Sequence, residues 1–294
     1  LKRKWKRKGR WLEFEYEGEA GTVPESPPLD MSPKLWRALL RQGGVSVSRG
    51  RLSLLLYDDE APQFEPSWTM PEILYEDDLC LVANKPPGIP VHPAYPEQTD
   101  TLANRMAGYL IAAGEPTRVR HIHRLDEQTS GPVLYAKNDW AQSWWDARLR
   151  DKEVDRRYVA VVAGVPRPPQ GTWDAPIGRD RHRPERRRVS PGGDPALTRY
   201  RVLERYPASG ASLIELKLET GRTHQIRVHA SHAGHPILGD VLYGGSADLI
   251  RRQALHGISL VFPHPFEGEI AVEAPIPDDI GRLLQVLRGR EARR

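Results

Sequence analysis

The chain has 294 residues, 39% hydrophobic and 28% charged, with a formal net charge of +4. That is enough apolar material for one large domain plus a small one, which excludes a chain disordered throughout. A single cysteine, Cys80, excludes a disulfide framework and a cysteine-built metal cage, and no run approaches the roughly 20 apolar residues of a membrane span.

The first decade, Leu1 to Arg10, carries seven basic residues and no acid. A second basic cluster runs from Arg179 through Arg181, Arg183, Arg186, Arg187 and Arg188. Each reads either as a solvated charge run or as a surface for phosphates. The basic start lacks the apolar segment of a signal peptide, so a reducing cytoplasm is the expected location. Cys80, within Leu79-Cys80-Leu81-Val82-Ala83, reads as a small buried hydrophobe.

After a proline-rich stretch from Thr22 to Pro28, Leu35, Trp36, Leu39 and Leu40 recur at helical spacing behind a Ser32-Pro33 start signal. Gly43 to Leu52 alternates around glycines and reads as a hairpin. Helix followed by Gly-Val-x-Val-x-x-Gly resembles a worn alpha-L RNA-binding module; a generic helix-hairpin cap is the other reading. Pro62, Pro66 and Pro71 mark a linker. The expected division is 1–68, a basic arm and alpha-L-like unit, and 69–294, the main domain.

Strand-like runs then dominate, at Leu79 to Ala83, Val133 to Ala136, Tyr158 to Ala163, Ala196 to Leu203 and Leu213 to Leu218. Helical patterns fall at Leu102 to Ala112 and Ala141 to Leu149. The strands do not alternate regularly with helices, which disfavours a doubly wound sheet. The expected class is α+β with a mixed, largely antiparallel sheet.

The segment His123-Arg124-Leu125-Asp126-Glu127-Gln128-Thr129-Ser130-Gly131 sets an arginine and a carboxylate beside a turn, just before an apolar run. By itself Asp126 is either a turn cap or a candidate nucleophile on a loop held by strands. Downstream, Gly221-Arg222-Thr223-His224-Gln225-Ile226-Arg227-Val228-His229 places Arg227 between two apolar neighbours, which suggests partial burial. A buried guanidinium needs an acidic partner. Tyr158, in Arg156-Arg157-Tyr158-Val159-Ala160-Val161-Val162, reads either as a core aromatic or as a ring for stacking.

Together these segments resemble the signature of RNA pseudouridine synthases of the RluA type. Lys85-Pro86-Pro87-Gly88 resembles the early motif of that family, and Gly234 to Asp240, Tyr243-Gly244, Leu255-His256-Gly257 and Phe262 to Pro265 add matches that look structural. Departures are Gly257 where alanine is common, Arg156 where lysine is usual and Asp194 where lysine is frequent. The resemblance implies a pseudouridine-synthase fold and a reaction that detaches uracil at nitrogen 1, turns it and reattaches it through carbon 5. There is no redox step, so no cofactor is expected.

The same resemblance implies Asp126 as the catalytic carboxylate, with Arg227 as the guanidinium beside it. Tyr158 stacks on uracil and reaches the carbon-5 proton, and Ile226 closes the other face. Arg124 contacts RNA near the vacated stack, and Arg222 and Lys85 complete the expected substrate-binding set. The implied partner is structured RNA, ribosomal RNA favoured over transfer RNA, acted on by a monomer. Two other readings stay open: a metal-dependent hydrolase drawing on His121, His123, His224, His229, His232 and His235, with the His-x-His pair beside Asp126, and a non-catalytic RNA-binding protein with the same surface.

Overall fold

The structure is a computed structural model that describes residues 4–57, 60–115 and 117–293. At the N-terminal end, β1 (Trp5–Lys8), β2 (Trp11–Glu15), α1 (Pro33–Arg41), β3 (Val45–Ser48) and β4 (Arg51–Leu55) form a helix and an antiparallel sheet of order β1-β2-β4-β3. The helix begins as its sequence dictates. Ser32 caps it by accepting the Leu35 N–H at 3.2 Å, and Pro33 occupies the first turn. The β3–β4 hairpin falls where the alternation predicts it.

The basic first decade departs from the expected arm. Residues 1–3 lie outside the described residues, but Trp5–Lys8 is a paired strand. Alternation explains it: Trp5 is buried, while Lys6 and Lys8 face outward toward Glu13 at 3.8 and 3.9 Å. Four residues with one apolar member are too few for the sequence to show that period.

The rest of the chain supplies β5 (Glu72–Glu76), β6 (Cys80–Lys85), α2 (Leu102–Ala112), β7 (Arg120–His121), β8 (Gly131–Ala136), α3 (Asp139–Arg150) and β9 (Asp155–Ala163). Then come β10 (Gln170–Asp174), β11 (Ile177–Arg179), β12 (Arg187–Val189), β13 (Leu197–Tyr206) and β14 (Ala211–Leu218). The last elements are α4 (Gln225–His232), β15 (Leu255–His264), β16 (Gly268–Glu273) and α5 (Asp278–Glu291). One sheet has order β5-β6-β8-β7, another β10-β13-β14-β9-β15-β16, and β11 pairs with β12. Neighbouring strands run antiparallel throughout these sheets. The expectation of an α+β fold with largely antiparallel sheets holds.

Strand β9 is central, and its Val159, Ala160, Val161 and Val162 are all buried, so its run of apolar residues is continuous rather than alternating. Tyr158 immediately precedes this run, opposite Leu216 of β14 and Gly257 of β15. The two large sheets meet at Gly131. Its backbone lies at φ +132°, and a Cβ there would stand 2.6 Å from the Gly257 carbonyl oxygen, so only glycine fits. A parallel bridge between Ser130 and His256 lies beside this contact. The chain segment that leads into β8 is thereby seated against β15 at Gly257, the residue paired with Tyr158.

Candidate active site

The loop before β8 turns through a bond from the Thr129 N–H to the Asp126 carbonyl at 3.0 Å. It is held from below by several groups. The Lys85 ammonium, fully buried, donates to the carbonyls of Pro86, Ile89 and Glu127 at 2.7–2.8 Å. The Gly88 N–H also reaches the Glu127 carbonyl, at 3.0 Å. Arg252 donates to the Gln128 carbonyl at 3.0 Å while its guanidinium holds Asp279 bidentately at 2.6 and 2.9 Å. Ser130 Oγ and His256 Nδ1 stand 2.9 Å apart.

Helix α4 approaches from the other side. Its first residue, Gln225, anchors the preceding turn: its side-chain oxygen accepts from Thr220 Oγ1 and the Arg222 N–H, and its amide donates to Leu197 and Thr198. His224, at the N-cap, adopts the left-handed conformation with φ +57°. This helix start projects Arg227 inward, where its side chain is 8% exposed.

Asp126 and Arg227, 101 residues apart in sequence, meet at 3.3 Å. Asp240 is the closer acid, held bidentately by Arg227 Nε and a terminal nitrogen at 2.7 and 2.9 Å. Burial works against the guanidinium charge, but Asp240 and then Asp126 overcome it and raise the pKa above its ordinary value. The arginine thus has its acidic partner in Asp240, which leaves the more exposed Asp126, 23% accessible at its side chain, facing open space.

That space is a cavity of about 480 Å³, of the size that takes a small ligand. Asp126, Tyr158, Arg227, Arg124, Ile226 and Arg222 all line it. Burial raises the Tyr158 phenol above its ordinary pKa; Arg156 opposes this and the Asp126 charge adds to it, so the ring keeps its proton at neutral pH. Lys85, expected to bind substrate, lies beneath the loop instead, with Nζ committed to three carbonyls. Its contribution is to the position of Asp126.

The sequence assigns no site role to Asp240, Tyr243, Arg150, Lys152 or Arg156, and offers His224 only as a candidate metal ligand. Arg150, Lys152 and Arg156 line the cavity and bias its wall toward anions. Asp240 lay in a stretch read as structural; the need of Arg227 for an acid was the signal that could have found it. The histidines do not assemble a metal shell. His121 stacks on His92 at 4.8 Å, and His123 Nε2 accepts the Leu134 N–H at 3.3 Å. Among the described residues no group of three His, Cys, Asp or Glu side chains could hold a metal ion. No helix of the described residues is long and apolar enough to cross a membrane.

The family model described as RNA pseudouridylate synthase matches residues 79–232, more than half of the chain. The chain belongs to the RNA pseudouridylate synthase family. A curated relative, the uncharacterized RNA pseudouridine synthase YhcT of Bacillus subtilis strain 168, is 46% identical over 239 residues, 81% of this chain and 79% of that one. Ribosomal large subunit pseudouridine synthase D of Neisseria meningitidis serogroup A is 44% identical over 244 residues, 78% of this chain and 64% of its own length, so the chain spans just under two thirds of that relative. The solved structure of human RNA pseudouridylate synthase domain containing 1 superposes with a TM-score of 0.60 at 28% identity, covering 76% of this chain and 98% of the human one. The chain is therefore an RNA pseudouridine synthase, an isomerase. The matched region contains Asp126, Tyr158 and Arg227 and stops short of Asp240 and Tyr243.

Proposed function

We propose that this RNA pseudouridine synthase isomerises uridines of ribosomal RNA, with Asp126 as its catalytic carboxylate. One observation carries the assignment: of the two carboxylates that line the cavity, Glu219 is paired with Arg199 at 2.7 Å, whereas Asp126 stands beside Arg227, which Asp240 satisfies from behind. A carboxylate so placed can serve the electron-poor sugar or base, as in glycosyl transfer generally. The protonated Tyr158 phenol supplies a stacking face and a hydroxyl near carbon 5, Ile226 closes the opposite face, and Arg124, exposed at the rim, contacts RNA near the vacated stack.

A uridine must leave its helix to reach this cavity, at a cost of a few kcal/mol that contacts elsewhere offset. Arg150, Lys152, Arg156 and Arg222 supply cations at the wall. The unit of residues 1–68 supplies a second surface in this reading. Lys34, Arg37 and Arg41 share the exposed face of α1, which contains no acid. Ribosomal RNA is favoured by the relative named for the large ribosomal subunit, since a large folded RNA can engage both surfaces at once.

Two measurements test the proposal. Asp126→Asn should abolish tritium release from RNA carrying 5-tritiated uridine while RNA affinity stays within about twofold, because the change removes a charge from the reacting face and keeps the volume. A variant that still converts uridine overturns the role of Asp126. Pseudouridine mapping in cells with and without the protein tests the substrate: loss of sites confined to transfer RNA overturns the ribosomal assignment.

A further inference from the structure

Behind Arg227 stands a chain of groups that joins the arginine-rich β11–β12 hairpin to the cavity. The Arg187 N–H, at the start of β12, donates to the Tyr243 hydroxyl at 2.8 Å, and that hydroxyl stands 2.9 Å from His224 Nδ1. The Tyr243 ring, 3% exposed, lies beneath two guanidinium groups, Arg227 at 4.8 Å from its centroid and Arg186 at 5.1 Å. His224 lines the same cavity as Asp126.

The hydrogen-bond inventory decides the tautomer. The hydroxyl oxygen already accepts from Arg187, and its single proton needs an acceptor inside a buried site. Nδ1 of His224 is that acceptor, which puts the imidazole proton on Nε2. We propose that His224 is a substrate-binding residue whose Nε2–H donates to an oxygen of the extruded nucleotide, with Tyr243 the positioning residue that fixes its tautomer.

Three observations support the assignment. No hydrogen bond among the described residues engages Nε2, although Nδ1 is fully committed. The residue holds a left-handed backbone, φ +57°, a conformation that costs free energy for anything but glycine and gathers at functional sites. The ring is also kept neutral. Burial lowers its pKa; Asp126 and Asp240 pull it up, but Arg227 and Arg187 add to the lowering. A neutral donor fits a site where the charged contacts to phosphate are already supplied by the arginines.

The hairpin enters through Arg187. RNA drawn onto the arginines of the hairpin holds β12 in place, and with it the Tyr243 hydroxyl. The nucleotide is thereby gripped by a donor whose orientation depends on the same hairpin.

Nitrogen-15 NMR of the histidine-labelled full chain reads the tautomer directly. The wild type should show His224 as Nε2–H, and Tyr243→Phe, which keeps the ring under both guanidinium groups, should give a tautomer mixture. Kinetics read the donor. His224→Ala should lower kcat/KM for RNA about tenfold, roughly the worth of one buried hydrogen bond, and His224→Gln, whose amide can donate from a similar place, should recover most of it. An Nδ1–H wild type, or His224→Ala within about twofold of wild type, overturns the proposal. Tritium release by the wild type on the same RNA tests the enzymatic reading separately, and the wild-type tautomer is measurable even should His224→Ala fail to fold.

Discussion

The carbonyls of Pro86, Ile89 and Glu127 converge on one ammonium, and Glu127 is the residue after Asp126. Burial lowers the Lys85 pKa to about 7, against the opposing pull of Asp126, yet three acceptors match the three donors that only the ammonium form has. Lys85→Met keeps length and apolar stem while leaving those carbonyls without a donor. It should cost about 2 kcal/mol in urea unfolding and lower kcat more than it raises KM, because Asp126 is displaced while the cavity wall stays in place. A variant with wild-type kcat would show that the Asp126 turn holds its shape without the lysine.

At this scale the sequence exposed what sits inside a contiguous motif and hid what completes it from a distance. Asp126, Tyr158 and Arg227 were each legible, and six of the seven expected site residues do line the cavity. Asp240 was not, because its bidentate grip on Arg227 spans a loop of which the sequence gives no geometry. Lys85 was legible as important and misread as a substrate contact, since a lysine beside prolines and a glycine carries no sign of the carbonyls around it.

Among the elements, β9 and β14 are legible from their apolar runs, β13 from the alternation of apolar and charged residues along LTRYRVLERY, and α2 and α3 because their apolar residues recur at helical spacing. Strand β15 was not read as one element, since Gly257 and Pro263 interrupt it, and β16 is a short edge strand with one buried residue. The seam between β8 and β15 is the element-scale feature on which the Asp126 loop depends. Gly131→Ala would force a Cβ to 2.6 Å from the Gly257 carbonyl oxygen and 2.7 Å from its Cα, both backbone atoms that cannot yield cheaply. The seam should open at a cost of about 3 kcal/mol, with turnover lost before RNA binding. The reciprocal change is milder: a Cβ on Gly257 meets Pro132 Cδ at 3.1 Å and the Tyr158 ring at 3.6 Å. A melting temperature unchanged by Gly131→Ala would show that the two sheets do not depend on this contact.

In the whole molecule, the small N-terminal unit and the rest of the chain share one apolar cluster. Trp5 of β1 and Trp36 of α1 belong with Trp140 and Trp145 of α3 and Phe262 of β15. Trp5 stacks on Phe266 at 5.2 Å and meets His264 at the same distance. Charges in the first decade are therefore better probed by substituting Lys6 and Lys8 than by removing the segment, which would take Trp5 from the core.

Beneath this junction lies Asp77, its side chain 1% exposed, in the turn between β5 and β6. Burial alone would raise its pKa. His264 Nε2 at 3.1 Å, the backbone N–H groups of Cys80 and Leu79, and the Tyr75 hydroxyl reverse that and bring it down to about 2. His264 Nδ1 accepts the N–H groups of Phe266 and Glu267, so its Nε2 is the nitrogen that carries a proton toward Asp77. A carboxylate depressed below its unfolded value stabilises the fold fully above about pH 4, and that contribution disappears as pH falls from there through about 2. The shift corresponds to about 2 kcal/mol. Asp77→Asn should therefore be less stable than wild type at pH 6 and lose less of its remaining stability on acidification. Denaturant titrations at pH 6, 4 and 2 check it: if wild type and variant lose stability in parallel between pH 4 and 2, the carboxylate is not what holds the β5–β6 turn to the end of β15.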